Sequence, residues 1–405
     1  MDRGKGFMRR RAPGRSKRGV TVSTVLVKPV GDRCNLACRY CFYHPGSGRP
    51  GAVMEEATLS AMTREFLAEG SPTVFAWQGG EPTLAGVEFY RRAVELQGGL
   101  AGEGQQVVNT FQTNGLLLDD GWASFLAEQR FLVGLSLDGP ADCHDAMHDA
   151  RHGLMRVDAG GAGSHARAVA AWERLARHGC AANILCVVHG GNCGRAGELY
   201  EYFTRELGAS HVQFIPCVEW EESGEPAEFS LRPGEYGRFL VELFEVWAGE
   251  AEREVSVKLF DDLVLALAGR PMRDCMHGAG CDSHLVVERE GWVYPCDFFV
   301  GPEHVLGNVV EEGLAEIRAT ARARAFRERK GSGAPEDCAG CRHGEVCRGG
   351  CPKFWREGAG GGVEQYLCGD MRLFFDTKRT ALKGMAEAVR ERWREWGVAG
   401  SGESG

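Results

Sequence analysis

The stretch from Thr24 to His44 reads TVLVKPVGDRCNLACRYCFYH. Its apolar, β-branched start predicts a strand, and the loop that follows carries Cys34, Cys38 and Cys41, with Tyr40 beside the last of them. Three thiolates on one short loop can hold an iron-sulfur cubane, but such a cluster has four irons, so one iron keeps no protein ligand. That open iron can take a small chelating molecule, as the free position of a catalytic metal site takes its substrate. A zinc knuckle, or cysteines that only pack, compete for the same spacing.

With 405 residues the chain is long enough for two domains and a sizeable core. A hydrophobic fraction of 43% and a charged fraction of 25% are ordinary for a soluble globular protein. The net charge of -9 argues against nucleic acid as the main partner, because phosphate binding wants a basic face. Sixteen cysteines raise the question of disulfides. Arg9, Arg10 and Arg11 are followed by no apolar export segment, so a cytoplasmic location is expected. There thiols stay reduced, and clustered cysteines serve metals or catalysis. No apolar run reaches membrane-spanning length, and no membrane partner is expected. Residues 1–20 read as a disordered basic tail.

Beyond the cysteine loop, helix and strand signals alternate. Helices are expected over Glu55–Glu69, Gly86–Leu100, Asp119–Gln129, Ser164–His178 and Arg195–Leu207. Strands are expected over Thr73–Trp77, Gln106–Thr113, Phe131–Leu137, Ala182–Val188 and His211–Cys217. With the first strand this makes six, alternating with helices, which implies an α/β fold with a parallel sheet of right-handed crossovers. Ligands of such sheets bind at the carboxyl ends of the strands.

Polar turns fall at those ends: QGGEP (Gln78 to Pro82), QTNG (Gln112 to Gly115) and SLDGP (Ser136 to Pro140). Each alone is turn chemistry. Together on one rim they describe a ligand site, in which Gly79 and Gly80 let backbone approach a ligand and Glu81 offers a carboxylate to a cationic group such as an amine.

The spacing C-x3-C-x2-C with its aromatic, followed one βα unit later by GGEP, resembles the radical S-adenosylmethionine (radical SAM) enzymes. The resemblance covers residues 22–220 and implies a partial (β/α)6 barrel, in which S-adenosylmethionine chelates the open iron and is cleaved to a 5'-deoxyadenosyl radical. It implies Cys34, Cys38 and Cys41 as cluster ligands, Tyr40 near the adenine, and Gly79, Gly80, Glu81, Ser136, Arg156 and Val212 about the cosubstrate. Arg151 competes with Arg156, because Asp142–Gly153 makes a longer connection than the family's usual one. Cys143, Cys180, Cys186, Cys193 and Cys217 have no site-like spacing, and no function is assigned to them.

A second cysteine field follows helix signals at Pro233–Gly249: Cys275, Cys281, Cys296, then Cys338, Cys341, Cys347, Cys351 and Cys368. Eight cysteines are two sets of four, enough to close two cubanes, although zinc sites are written in similar spacings. Leu285–Val300 reads as two short strands about a Glu-Gly turn, a hairpin presenting Cys296 and Asp297. The field resembles the SPASM extension with its two auxiliary [4Fe-4S] clusters. On that resemblance Cys275, Cys281, Cys296 and Cys351 hold the nearer cluster and Cys338, Cys341, Cys347 and Cys368 the farther, for three [4Fe-4S] clusters in all.

Over nearly the whole chain the best match is the anaerobic sulfatase-maturating enzymes, carried by VKPVGDRCNLACRYCFYH, AWQGGEPTLAG, FLVGLSLDGP, NILCVV, VYPCDFFV and CRGGC. This implies oxidation of a cysteine or serine of an unfolded sulfatase polypeptide to Cα-formylglycine, with an electron donor such as flavodoxin or ferredoxin as partner. It implies Asp297 as proton acceptor, placed one residue after a cluster ligand, and Tyr43 and Gln78 as substrate contacts. The competing readings are a SPASM enzyme acting on a ribosomal peptide and a zinc-rich scaffold protein. The expected layout is the basic tail at 1–20, the barrel at 21–230, a connecting helical segment at 231–270, the SPASM domain at 271–375, and a C-terminal helix and tail at 376–405.

Overall fold

The computed structural model describes residues 22–43, 52–145, 155–158, 160–250, 255–358 and 361–397. The basic tail and Arg151 lie outside the described residues. From the N-terminus the elements are β1 (Ser23–Lys28), α1 (Glu56–Glu69), β2 (Thr73–Trp77), α2 (Val87–Leu100), β3 (Val107–Thr113), α3 (Asp120–Glu128), β4 (Leu132–Ser136), the short α4 (Ala141–His144), α5 (His165–Arg177), β5 (Ala181–Val188), α6 (Ala196–Glu201) and β6 (His211–Pro216). The expected helix at Arg195–Leu207 is not continuous: α6 gives way to a π-helical turn at Tyr202–Glu206, a shift of backbone bonding that side-chain periodicity does not report.

Strands β1 to β6 pair in sequence order and in parallel, as βαβ crossovers require. Strands β1, β2 and β6 alternate. In β1 Val25 and Val27 are fully buried, and in β2 Phe75 and Trp77 are. Helix α1 lays Leu59, Met62 and Phe66 on the sheet, and α3 starts where Asp119 accepts from the backbone N–H of Trp122 at 2.8 Å. An aromatic chain fills the space between. Tyr90 meets the rings of Trp77, Phe111 and Trp122 at 5.4, 5.0 and 5.5 Å, and its hydroxyl donates to Pro82 O at 2.8 Å. The core thus grips the polar rim directly.

After β6 come α7 (Glu235–Gly249), β7 (Ser256–Val257), α8 (Lys258–Leu267), β8 (Leu285–Glu288), β9 (Trp292–Tyr294), β10 (Gly307–Asn308), α9 (Leu314–Ala319), α10 (Ala321–Ser332), α11 (Gly344–Cys347), the small hairpin β11 (Trp355–Glu357) and β12 (Val363–Gln365), and α12 (Cys368–Glu395). The parallel sheet is larger than six strands. The expected hairpin joins it: β8 lies parallel to β1, with Val25 opposite Leu285 and Lys28 opposite Glu288. The sheet order is β10-β9-β8-β1-β2-β3-β4-β5-β6-β7.

The C-terminal helix starts at Cys368, and its main seat is α7 and α8. Phe374 packs on Phe244 and Phe260, and Asp370 Oδ1 accepts from Gly237 N at 2.8 Å. The helix also joins the cysteine field, supplying Cys368 and Arg372 to one cavity, Asp376 and Phe375 to His343, and Arg379 to Arg342 O. No helix among the described residues is long and apolar enough to cross a membrane.

Candidate active site

The cysteine loop leaves β1 at Lys28 and is fastened by three backbone hydrogen bonds to two segments. Ala37 N and Arg39 N donate to Val157 O and Met155 O at 2.8 and 3.0 Å, and Glu81 N donates to Arg33 O at 2.7 Å. The two glycines of QGGEP make this closeness possible. A Cβ on Gly80 (φ +48°) would stand 2.0 Å from Arg33 O, and one on Gly79 (φ +84°) would stand 2.5 Å from Lys28 Cγ. What the glycines admit is the cysteine loop itself and the stem of Lys28. Glu81 is buried, with Oε1 accepting from Thr83 N, Thr83 Oγ1 and Thr113 Oγ1 and Oε2 from Asn114 N. It ties three strand ends together, and Oε2 keeps room for one further donor.

Burial pushes the Cys34 thiol up to about 12, and it raises Cys38 and Cys41 as well, against the opposing Arg156 guanidinium. Three adjacent thiols that desolvation keeps protonated fit a multinuclear iron centre, whose positive charge offsets the cost of ionising them. Beyond them lies a buried polar knot. Tyr40 Oη donates to Asp138 Oδ2, Arg156 Nη1 reaches the same oxygen at 3.4 Å, and Val187 N donates to Oδ1 at 2.8 Å. Arg156 Nε is buried without a hydrogen-bond partner among the described residues. Ser136 closes β4 on this rim, half-buried. Val212 does not reach it. It pairs with Ile184 at the start of β6, on the helix-covered face, whereas Val187 and its neighbour Ile215 share the face of Tyr40.

The eight later cysteines gather as two groups. Cys338, Cys341, Cys347 and Cys368 line one cavity, with Arg372 on its wall. In the other group the Cys275, Cys296 and Cys351 sulfurs act on one another, as do Cys351 and Cys281. Burial raises Cys275 to about 12 and Cys351 to about 11. Buried Lys330 holds the second group's loop, its ammonium donating to Cys275 O, Met276 O and Gly278 O at 2.8, 2.8 and 3.1 Å. A cation against each group suits clusters that carry four thiolates.

Between the barrel loop and this second group stands Asp297. Its Oδ2 accepts from Gln78 Nε2 at 3.4 Å, and its Oδ1 from Cys296 Sγ at 3.5 Å. Across from it, Tyr43 Oη donates to Glu288 Oε1 at 2.5 Å, and Lys28 Nζ lies under the Tyr43 ring. Burial lowers the Lys28 pKa, while Asp297, Glu288, Cys296 and Cys41 act in the opposite direction. The structure therefore brings Tyr43, Gln78 and Asp297 to one junction between two cysteine groups.

Comparison with known proteins decides the family. Residues 29–201 match the radical SAM superfamily, and residues 275–342 match the SPASM iron-sulfur cluster-binding domain. The chain is 33% identical, over 91% of its length and 99% of the relative's, to the cysteine-type anaerobic sulfatase-maturating enzyme of Clostridium perfringens. The chain belongs to the anaerobic sulfatase-maturating enzymes. It is equally 33% identical, over 91% of its length and 89% of the relative's, to the serine-type enzyme of Klebsiella aerogenes. The solved structure of native anSMEcpe with bound AdoMet superposes with a TM-score of 0.83 at 34% identity, covering 91% of this chain and 100% of that one. Membership makes this a radical SAM enzyme with a SPASM domain, using S-adenosylmethionine and [4Fe-4S] clusters, and it sets aside the zinc-scaffold reading.

Sequence reasoning within the sulfatase-maturating family passed over four residues of this site: Lys28, Asp138, His284 and Lys330. A lysine closing an apolar strand, TVLVK, was the one visible signal for Lys28, and Asp138 stood inside the quoted SLDGP. Lys330 sits in a helix rich in other cations, ARARAFRERKGS, where nothing local marks it.

Proposed function

We propose that this enzyme converts a cysteine or serine side chain of an unfolded sulfatase polypeptide to Cα-formylglycine, with Asp297 as the proton acceptor. The observation that carries the reading is the position of Asp297, bonded to Gln78 of the barrel rim and adjacent to Cys296 of the second cysteine group. On this reading Cys34, Cys38 and Cys41 hold the cluster that binds S-adenosylmethionine. Cys275, Cys281, Cys296 and Cys351 hold one auxiliary cluster, and Cys338, Cys341, Cys347 and Cys368 the other. When bound, these groups supply hydrogen-atom abstraction at the substrate Cβ and an acceptor for the second electron.

The chain supplies the rest. Forming C=O from serine, or C=S from cysteine that water then hydrolyses to the aldehyde with release of hydrogen sulfide, also requires that the hydroxyl or thiol lose its proton, and Asp297 Oδ2 is the base that faces the junction. Gln78 fixes the direction of that oxygen, and Lys28 compensates the charge that Asp297, Glu288 and the nearby thiolates place in a dry site. Tyr43, braced by Glu288 below and Lys28 behind, forms the wall against which the substrate peptide lies. Gly80, Glu81, Ser136, Tyr40 and Arg156 surround the cosubstrate, Tyr40 and Arg156 through Asp138.

The test is anaerobic incubation of reconstituted protein with S-adenosylmethionine, a reductant and a sulfatase peptide of the C-x-P-x-R type, read by mass spectrometry. Aldehyde on the cysteine or serine supports the proposal. Formation of 5'-deoxyadenosine with modification only of a ribosomal precursor peptide would replace it.

A further inference from the structure

His284 immediately precedes β8. The hairpin ladder pairs Val286 with Tyr294, and the same register carried two residues outward sets His284 opposite Cys296. A ring nitrogen of His284, Cys296 Sγ and an Asp297 carboxylate oxygen all lie within 4.8 Å of one another. Nδ1 shares a hydrogen bond with Ser283 Oγ at 2.9 Å. Nε2 is shut off from solvent and has no hydrogen-bond partner among the described residues. An imidazole that accepts at one ring nitrogen carries its N–H on the other. With the Ser283 hydroxyl donating to Nδ1, that proton sits on Nε2. Nε2 is then a buried donor without an acceptor, on a ring that lies against a carboxylate and a sulfur.

Ligation changes what Asp297 has to bond with. In the unligated chain the Cys296 thiol donates to Asp297 Oδ1. A cysteine bound to iron is a thiolate and has no proton to give. Oδ1 then loses its donor and faces a like charge, while Gln78 reaches only Oδ2. With Oδ1 left without a donor the carboxylate would turn away from the sulfur, and the base would lose its aim.

We propose that His284 takes over this hydrogen bond, its Nε2–H donating to Asp297 Oδ1 once Cys296 is ligated, which makes His284 a positioning residue for the proton acceptor. The proposal rests on the reading of Asp297 as that acceptor. His284 does not touch the substrate on this account.

The experiment compares His284→Phe, which keeps a planar ring without a donor, His284→Gln, which keeps a donor, and Asp297→Asn, all in reconstituted holoenzyme. Iron per chain, the midpoint potential of the auxiliary cluster held by Cys296, and aldehyde formed per 5'-deoxyadenosine are measured for each. His284→Phe should load iron fully and lower aldehyde per 5'-deoxyadenosine at least about fivefold, with the peptide KM unchanged. The auxiliary potential should move to a more negative value, because the carboxylate is no longer tied to a donor. His284→Gln should stand within about twofold of the parent in coupling, the retained donor restoring most of the bond. Parental coupling and potential in His284→Phe would overturn the proposal, and so would a His284→Gln protein as uncoupled as His284→Phe. Should His284→Phe fail to load iron, His284→Gln alone decides: coupled, it supports the bond; uncoupled, it overturns it. Full coupling in Asp297→Asn would remove the underlying reading of the base, whereas an uncoupled Asp297→Asn beside a coupled His284→Phe rejects His284 alone.

Discussion

Lys28 Nζ stands 3.3 Å from the centroid of the Tyr43 ring, a buried ammonium pressed against the aromatic face that borders the junction. Such a contact is stronger when desolvated, and here it holds the tyrosine while its hydroxyl is bonded to Glu288. Lys28→Met keeps the stem and removes the charge. Iron content should remain at the parental value, and aldehyde formation should fall about tenfold to a hundredfold, since Asp297 and Glu288 lose their compensating cation. A Lys28→Met enzyme with parental turnover would show that the ammonium has no part in the reaction.

Asp297→Asn removes the base and leaves the Gln78 contact sterically possible. Turnover to aldehyde should drop by about a hundredfold or more, the usual worth of a positioned general base, with peptide affinity little changed. Single-turnover assays by mass spectrometry, beside peptide binding by fluorescence anisotropy, separate the two quantities.

Gly80→Ala tests the seat of the cysteine loop. The added methyl meets the Arg33 carbonyl at 2.0 Å on a backbone with φ of +48°, so the loop has to move. Iron should fall by about four atoms per chain from the roughly twelve that three cubanes contain. S-adenosylmethionine cleavage should disappear with it. Metal analysis that returns the full iron content would mean that the loop tolerates the shift.

Lys330→Met removes the ammonium that donates to three carbonyls of the Cys275 loop. Three part-buried acceptors lose their partner, at a cost of about 1 kcal/mol each. The auxiliary cluster proposed for Cys275, Cys281, Cys296 and Cys351 should be lost while S-adenosylmethionine cleavage, proposed for the barrel loop, survives. Loss of all iron together would place Lys330 in general folding.

His144 gives the pH dependence. Its Nδ1 accepts from the backbone N–H of Asp138 at 3.1 Å and its Nε2 shares a bond with Ser164 Oγ, and burial drives its pKa well below 6.5. The unfolded chain protonates this imidazole below its ordinary pKa and the native chain does not, so stability falls as pH drops through about 6.5, by up to about 1.4 kcal/mol per pH unit for this group. Thermal melts of iron-free protein at pH 7.5 and 5.5 should show a smaller difference in His144→Gln.

The strand and helix alternation was legible because each βα unit keeps its own period. Thr73–Trp77 and Glu56–Glu69 fall where their apolar spacing sets them, within a residue of the expected bounds. The cysteine field was legible from count and spacing joined to a family resemblance; in the structure Cys338, Cys341, Cys347 and Cys368 line one cavity, and Cys351 interacts with Cys275, Cys281 and Cys296. What escaped were relations between distant segments. Nothing in LVVE announces that it pairs with TVLVK, because a short buried strand fits either edge of a sheet. Val212 was misplaced for a related reason: a one-residue change of parity moves a side chain to the other face. His284 was invisible, and Lys28 showed only as a lysine closing an apolar strand, because a lone imidazole or cation acquires meaning only from the residues folded around it.

The parallel pairing of β8 with β1 also constrains how the molecule can be made. Strand β1 finds one of its two neighbours only after β6, α7 and α8 have been synthesised. Until then one flank of β1 is an unprotected edge, and closing so distant a contact is entropically slow. The cysteine loop attached to β1 therefore acquires its final setting late in biosynthesis, and delivery of iron and sulfide is expected to be post-translational.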